Sequence, residues 1–174
     1  MDTYIKTRLC RNSNFENMIE MSHHPDVTLE VLLMHPNKSW GFHVMHDHPN
    51  FTFEWVEHFQ DRFWNWNRLS YMADIETLKK YPYFSWNWDI VTSKMDIQTI
   101  MENKQLNWSF TRLHIEKVSE THIPFLEMFI DTLPNWKWRH LARCTPWPVF
   151  KKNMHLPWFW YASDVPVSYT HLRA

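Results

Sequence analysis

The sequence predicts an all-α protein, a solenoid-like array of short two-turn helices with a repeat of about 22–24 residues. Three observations predict this fold. A Trp-led phrase recurs along the sequence, helix-capping residues occupy one fixed position of the phrase, and Gly41 is the single glycine among 174 residues. Tight β-hairpins need residues at positive φ, which glycine supplies most readily, so the scarcity of glycine argues against such hairpins.

The recurring phrase has six residues: apolar, capping, apolar, polar, any, apolar. Its Trp-led copies are WGFHVM at 40–45, WNWNRL at 64–69, WNWDIV at 86–91, WSFTRL at 108–113 and WKWRHL at 136–141. A second form, without a leading Trp, alternates with the first. Its copies are VTLEVL at 27–32, FTFEWV at 51–56, ADIETL at 73–78, MDIQTI at 95–100 and CTPWPV at 144–149.

Each phrase has the features of a helix N-terminus. Its second residue is the predicted N-cap, whose side group accepts a bond from an amide of the first turn. The predicted caps are Thr28, Thr52, Asn65, Asp74, Asn87, Asp96, Ser109 and Thr145. The first and sixth residues then form a hydrophobic staple, such as Trp64 with Leu69 or Trp136 with Leu141. Pro146 is predicted at a first helical position, where its missing amide costs nothing.

The spacing of these starts predicts short helices that must pack against one another. The predicted first helical residues are Leu29, Phe42, Phe53, Trp66, Ile75, Trp88, Ile97 and Phe110. Starts that lie 9 to 13 residues apart leave room for about two turns each. Such helices are unstable in isolation, so we expect them to stack as in an α-solenoid.

The predicted organisation has three parts. Residues 1–20 form a degenerate N-terminal capping unit, and residues 21–163 form the repeat array, with an irregular or longer element around 114–135. Residues 164–174, which end in VPVSYTHLRA, lack the pattern and are similar to read-through or adaptor-derived sequence. We therefore expect this tail to be unstructured or non-native.

Composition and charge exclude several classes of protein. The formal net charge is −1, so a dedicated nucleic-acid binder is not expected. The sequence has neither an apolar run long enough for a membrane span nor a signal-peptide pattern, which predicts a soluble, intracellular protein that is not secreted. Cys10 and Cys144 are consistent with free thiols in a reducing compartment. No cofactor is expected, because one isolated glycine cannot form a phosphate-binding loop.

The alternating phrases resemble the tandem short repeats of uncharacterised giant-virus proteins of the mimivirus-like and marseillevirus-like groups. The matching segments are HPDVTLEVL, HPNFTFEWV, FWNWNRLS and YPYFSWNWDIV, within residues 21–163. The resemblance implies a helical repeat array, located in the host cytoplasm or the virion if the protein is viral. It implies no activity, ligand or catalytic residue.

The function that this architecture favours is a non-enzymatic scaffold for protein–protein interaction. The candidate interaction surface consists of Arg68 and Arg112, at positions outside the staple, and of Trp66 and Trp88, which are first helical residues whose burial the pattern does not fix. One alternative is a His-rich metal-binding protein, with His43, His46 and His48 as candidate ligands. Another is an aromatic groove for carbohydrate or nucleic acid. Catalysis is disfavoured because no glycine elbow surrounds a serine or cysteine.

Overall fold

The computed structural model describes residues 15–158, which contain helices and no strand. The all-α prediction is therefore confirmed for this part of the protein. The helices are α1 (Phe15–Ser22), α2 (Leu29–Met34), α3 (Phe53–His58), α4 (Trp66–Met72), α5 (Ile75–Lys80), α6 (Trp88–Lys94), α7 (Ile97–Glu102), α8 (Ile123–Met128), α9 (Asn135–Cys144) and α10 (Trp147–Lys152). Short 3-10 helices occupy Met45–Asp47 and Glu120–His122.

The protein divides into two compact units, one ending at Trp86 and the other beginning at Asn87. Aromatic and aliphatic side chains fill the first unit, among them the fully buried Trp55, Trp64 and Leu69. In the second unit, a hydrophobic cluster includes Phe125 and Trp138. The predicted boundaries at residues 20 and 163 are not tested by this division. Most of the predicted capping unit, residues 1–14, and the whole predicted tail, 164–174, lie outside the described residues.

Within residues 15–158, six helices share one length of six residues. They begin at Leu29, Phe53, Ile75, Ile97, Ile123 and Trp147, at successive intervals of 24, 22, 22, 26 and 24 residues. The first four starts were predicted from the phrases. Helix α8 is different, because it lies inside the segment 114–135 for which the phrase pattern predicts an irregular element. There a 3-10 turn with a Ser119–His122 capping box leads directly into the helix.

Most of the predicted N-caps are confirmed. Side chains of the cap residues accept a bond from the amide three residues later, at 2.8 to 3.4 Å. The capping residues are Thr28, Asn65, Asp74, Asn87 and Asp96. Thr52 also occupies an N-cap position, but its hydroxyl makes no capping bond. Each bonded group satisfies an amide that has no partner within its own helix.

Replacing Asn65 by Ala should therefore lower the free energy of unfolding by about 1 kcal/mol, because the Arg68 amide loses its acceptor. The Thr52→Ala variant is the matched control in the same compact unit. It should lose only a few tenths of a kcal/mol, since the Thr52 hydroxyl caps nothing. Urea unfolding followed by circular dichroism measures both values. Equal losses would contradict the assignment of Asn65 as an energetic cap.

The helix predicted to begin at Phe42 does not form. Residues 42–44 form a turn, and the 3-10 helix Met45–Asp47 follows. Gly41 stands at the cap position without an acceptor of its own, and its amide donates instead to Ser22 Oγ at 2.8 Å. His48 precedes Pro49 and is extended, with φ −71° and ψ 137°, as proline imposes on its neighbour. The segment therefore has no N-cap acceptor for a helix that begins at Phe42, and the extended His48 before Pro49 prevents the helix from continuing.

The helix predicted to begin at Phe110 is also absent, and residues 107–118 contain no helix. Ser109 does not cap, because its hydroxyl donates to the carboxylate of Asp89. The Thr111 hydroxyl donates to the same carboxylate, and these two bonds lower the pKa of Asp89. The Ser109 amide donates to Thr92 Oγ1 at 3.0 Å. The predicted capping groups are therefore engaged by α6.

The staple predicted for Trp136 and Leu141 is wrong. Helix α9 begins at Asn135, with Pro134 as its N-cap, so Trp136 lies in the first turn. Its indole is 52% exposed, whereas Trp138 is buried in the core. Helix α9 has a proline as its N-cap and is ten residues long, whereas α4 and α6 have seven residues each. The phrase at 136–141 does not predict this start, because Asn135 lies before its first residue.

The last predicted start is wrong by one residue. Thr145 is not an N-cap; it is the C-cap of α9, and its hydroxyl donates to the Leu141 carbonyl at 2.7 Å. Pro146 is the N-cap of α10, and the first helical residue is Trp147. The hydroxyl that the pattern assigned to the following helix satisfies a carbonyl of the preceding one.

Among the helices of residues 15–158, a recurrent turn follows five of the six that are six residues long. In each case the indole Nε1 of a Trp donates to the backbone carbonyl five residues earlier, at 2.7 to 2.9 Å. The acceptor is always the C-cap residue, whose φ lies between −131° and −116° and whose ψ lies between 37° and 56°. We call these segments the Trp turns; they span 35–40, 59–64, 81–86, 103–108 and 153–158.

In the Trp turn, the leading Trp is bonded to the helix that precedes it, whereas the staple interpretation pairs it with the helix that follows. The staple interpretation assigns Trp64 to the helix that follows, but its indole nitrogen is bonded to Phe59, at the end of the helix that precedes. The Phe59 carbonyl also accepts the amide of Arg62 at 3.1 Å. Because this carbonyl has no partner within α3, the indole of Trp64 caps the C-terminus of that helix.

Candidate functional site

The most distinctive surface of the first unit lies between two successive Trp turns. Two adjoining cavities, of about 250 and 410 Å³, share His43 and Phe63 in their walls. We call them together the Phe63 groove. Its other lining residues are Lys38, Ser39, Trp40, Phe42, Arg62, Trp64, Asn65, Trp66 and Asn67. Phe63 is 82% exposed, although a Phe ring gains by leaving water.

The groove combines an apolar floor with a basic edge. Trp40, Phe42 and Trp64 are buried, and the Phe42 ring packs edge-on against Trp64 at 5.2 Å. Lys38 and Arg62 supply positive charge, and none of the described residues that line the two cavities is a carboxylate. Arg62 is held by two contacts, because Nη2 donates to the Pro36 carbonyl at 3.1 Å and Nε lies 3.6 Å from Asp61 Oδ2. Such a surface can bind an anionic group beside an apolar one.

Two of the predicted interaction residues lie at or near this groove. Trp66 is half-buried and lines the second cavity. Its ring meets Phe84 at 5.7 Å and Trp86 at 5.9 Å, both edge-on. Arg68 is exposed and forms an ion pair with Asp47 at 3.2 Å. Trp66 therefore contributes partly to the core, and Arg68 is partly neutralised.

The other two predicted interaction residues belong to the second unit. Trp88 is half-buried and packs edge-on against Trp108 at 5.8 Å. Arg112 is exposed, and its charge contributes, after the hydroxyls of Ser109 and Thr111, to lowering the pKa of Asp89. These two residues therefore have their own neighbours within the second unit.

The three candidate metal ligands do not come together. His48 is buried, and Nε2 lies 2.9 Å from the His24 carbonyl while Nδ1 accepts the Asn50 amide at 3.0 Å. Both ring nitrogens are therefore occupied by backbone. His46 is buried with Nε2 at 3.3 Å from Asp47, and His43 lines the Phe63 groove. Among the described residues, no three His, Cys, Asp or Glu side chains are grouped as a metal site.

Helix α9 itself carries ionisable groups that the sequence did not indicate, Lys137, His140 and Cys144. Lys137 is buried, and its ammonium donates to the Leu113 carbonyl at 2.6 Å and the Thr111 carbonyl at 3.5 Å. Burial lowers the pKa of Lys137. The same Nζ lies 4.4 Å from the centre of the Trp136 ring. These hydrogen bonds connect the non-helical segment 107–118 to α9.

Two pairs of side chains in the second unit resemble parts of catalytic sites. Ser119 Oγ lies 2.7 Å from His122 Nδ1, which also accepts the Ser119 amide at 3.1 Å. This is a capping box, and the nitrogen is already engaged. Cys144 Sγ lies 3.7 Å from His140 Nε2, one turn apart on α9. Within the described residues, no carboxylate orients His140 as a base, which a triad requires.

His140 makes stability depend on pH. Burial, followed by the charges of Lys137, His114 and Arg143, lowers the pKa of His140 below its ordinary value of 6.5. The unfolded protein therefore binds the proton first as the pH falls, so the free energy of unfolding decreases from about pH 6.5 down through the folded-state pKa. In the His140→Gln variant this part of the pH dependence should disappear. Urea midpoints between about pH 5 and 7.5 measure the difference.

The control for this prediction is the His58→Gln variant, because His58 is exposed on α3. It should keep the pH dependence of the unsubstituted protein. A His140→Gln variant that loses stability in acid as steeply as the unsubstituted protein would rule out His140 as the titrating group.

Phe63, the most prominent residue of the groove, was not predicted from the sequence. The signal was present in the register of the Trp turns. The position directly before the leading Trp is polar in the turns 35–40, 81–86 and 103–108, where it holds Ser39, Ser85 and Asn107. The fifth turn, 153–158, has Pro157 at this position, so Phe63 is the one large apolar side chain there among the five turns, and this predicts an exposed ring.

No protein-family model, curated protein or solved structure matches this sequence significantly. In the described part of the protein, no helix has the length and apolar character needed to cross a membrane.

Proposed function

We propose that the protein is a non-enzymatic scaffold, a solenoid-like array of short helices that binds a protein partner. The observation that carries the proposal is the Phe63 groove, an apolar cavity with an exposed aromatic ring and a basic edge. Aromatic residues and Arg are the side chains most enriched at the energetic centres of protein interfaces. Scaffolds of stacked repeats typically bind through such extended surfaces.

Hydrogen bonds and ion pairs between side chains of successive phrases support the stacking. In the first unit, Tyr83 donates to Glu57 at 3.3 Å and Arg68 pairs with Asp47 at 3.2 Å. In the second unit, His155 lies 2.9 Å from Glu127. These partners are 26, 21 and 28 residues apart, which is about one phrase period. Helices of six residues need such neighbours, because they are too short to persist alone.

The resemblance to giant-virus repeat proteins belongs to the same proposal. It adds an intracellular site of action, in the host cytoplasm or the virion. A scaffold in that setting needs neither a cofactor nor a membrane anchor, and its specificity comes from the residues on its surface. The candidate residues are Phe63, Trp66 and Arg68 in the first unit, and Trp88 and Arg112 in the second.

Affinity capture from the native or infected cell tests the proposal. Three baits are compared: the unsubstituted protein, the Phe63→Ser, Arg68→Ser double variant, and the Tyr71→Ser control. Tyr71 is 63% exposed on α4 but does not line the groove. We expect one protein to be retained by the first and third baits and lost from the second. Retention of nothing above an unrelated helical protein, or identical retention by all three, would overturn the proposal.

A further inference from the structure

The walls of the Phe63 groove come from equivalent positions of two consecutive turns. Lys38, Ser39 and Trp40 end the first Trp turn, and Arg62, Phe63 and Trp64 end the second. Each triplet offers a basic residue, then an exposed position, then a buried indole. A ligand lying across both turns therefore meets charge at one edge and aromatic surface at the centre.

Charge in the groove has the opposite sign to that of the whole protein. The protein carries a formal net charge of −1, yet the part of the protein that the structure describes contributes no carboxylate to the lining of either cavity. Lys38 forms no ion pair with a carboxylate among the described residues, so its charge is available to a ligand. Arg62 shares its charge with Asp61 at 3.6 Å but remains 38% exposed. The Lys38 edge is the part of the groove that attracts an anion.

We propose that the Phe63 groove binds an acidic segment of a partner protein, with one apolar residue of that segment seated against Phe63 and Trp66. This inference rests on the proposed scaffold function and names the ligand class of the same site. A carboxylate of the segment pairs with Lys38, and the apolar residue covers the exposed ring. An apolar anchor beside a charged contact is a common mode of peptide recognition.

A single-stranded nucleic acid is the competing ligand, since exposed aromatic rings also stack on bases. The charges disfavour it. Arg68 is paired with Asp47 and Arg62 lies beside Asp61, which leaves Lys38 as the groove's available full charge among the described residues. Nucleic-acid affinity depends on neutralising several phosphates at once. One available ammonium suits a peptide carboxylate better.

Fluorescence anisotropy with short synthetic peptides tests the inference. In the probe peptides, Asp and Glu flank a central Phe or Leu; the comparison peptides replace the acids by Asn and Gln, or the central residue by Ser. We expect both replacements to weaken binding about tenfold or more. Binding of the acidic probe should also weaken as salt increases, because the Lys38 contact is solvent-accessible.

Protein variants locate the site. Phe63→Ser and Lys38→Glu should each weaken binding of the acidic probe about tenfold. The matched controls Tyr71→Ser and Lys104→Glu alter an exposed aromatic and an exposed lysine outside the groove, and they should leave binding unchanged. Circular dichroism checks that all four variants remain folded. Since Phe63 is 82% exposed, its replacement should not disturb the core.

Three results would overturn the inference: no binding of the acidic probe, equal binding by the groove and control variants, or tighter binding of single-stranded RNA that Phe63→Ser abolishes. Failure of the inference is distinguishable from failure of the scaffold function. If the captured cellular protein still depends on Phe63 but no acidic peptide competes with it, only the ligand class is wrong. If nothing is captured and no peptide binds, both proposals are wrong.

Discussion

A Trp64→Phe variant is expected to lose about 2 kcal/mol of unfolding free energy, whereas Trp138→Phe should lose about 1 kcal/mol or less. Both indoles are almost fully buried, with 2% and 1% of their surface exposed. The two substitutions remove the same volume. They differ in the hydrogen bond, because Trp64 Nε1 donates to the Phe59 carbonyl at 2.8 Å while Trp138 Nε1 has no partner among the described residues.

The comparison isolates the energetic value of the Trp turn. Phenylalanine at 64 leaves the Phe59 carbonyl with one donor fewer, whereas phenylalanine at 138 removes a buried N–H that was desolvated without compensation. Urea unfolding of both variants, with circular dichroism at a helix wavelength, gives the two free energies. If Trp138→Phe is as destabilising as Trp64→Phe, then the indole bond contributes nothing beyond burial and the Trp turn is only a packing arrangement.

The second large effect is expected at Lys137. Lys137→Ala should lower the free energy of unfolding by about 3 kcal/mol, because it leaves a cavity and deprives the Leu113 and Thr111 carbonyls of their donor. The exposed Lys104 provides the control, and Lys104→Ala should change the value by less than about 0.5 kcal/mol. A loss at Lys137 no larger than that at Lys104 would show that the segment 107–118 holds its position without the ammonium.

Lys137 also has a pH signature with a definite sign. Burial lowers the pKa of its ammonium below the ordinary 10.5, so the folded state binds fewer protons than the unfolded state between those two values. Unfolding free energy should therefore rise with pH in that alkaline window. The Lys137→Met variant lacks the titrating group and should lack this rise. An unchanged slope in Lys137→Met would assign the effect to another residue.

Helix starts could be predicted from the sequence where several local signals coincide. At Asp74 a capping residue, an apolar staple position and the acidic Glu76 in the first turn agree, and at Asn65 a capping residue and an apolar staple position agree. Both helices begin where predicted. The prediction failed where one signal was missing or diverted. Gly41 has no acceptor to cap with, and the hydroxyl of Ser109 is taken by Asp89, a residue 20 positions away. Such a diversion depends on tertiary contact and has no local signature.

The candidate site was less predictable, because exposure is a property of the folded protein. The helical register of Trp66 predicts a place on the candidate surface without fixing its burial, and in the structure it is half-buried at the groove. Phe63 passed unnoticed because it directly precedes a core residue, Trp64, and apolar neighbours in sequence do not reveal which one faces solvent. The cluster of Lys137, His140 and Cys144 was equally hidden, since a lysine in a helical phrase is normally solvated.

Because the Trp turns share one hydrogen bond, the local stability of each can be measured in the same way. Five indole N–H groups are each hydrogen-bonded to a helix-terminal carbonyl, one in every Trp turn. Proton exchange at such a group requires its own turn to open, and indole resonances fall in a sparse region of the nitrogen-correlated NMR spectrum. The exchange rates of Trp40, Trp64, Trp86, Trp108 and Trp158 would therefore give five local opening free energies without any substitution. Each of these turns contains its own reporter of local stability.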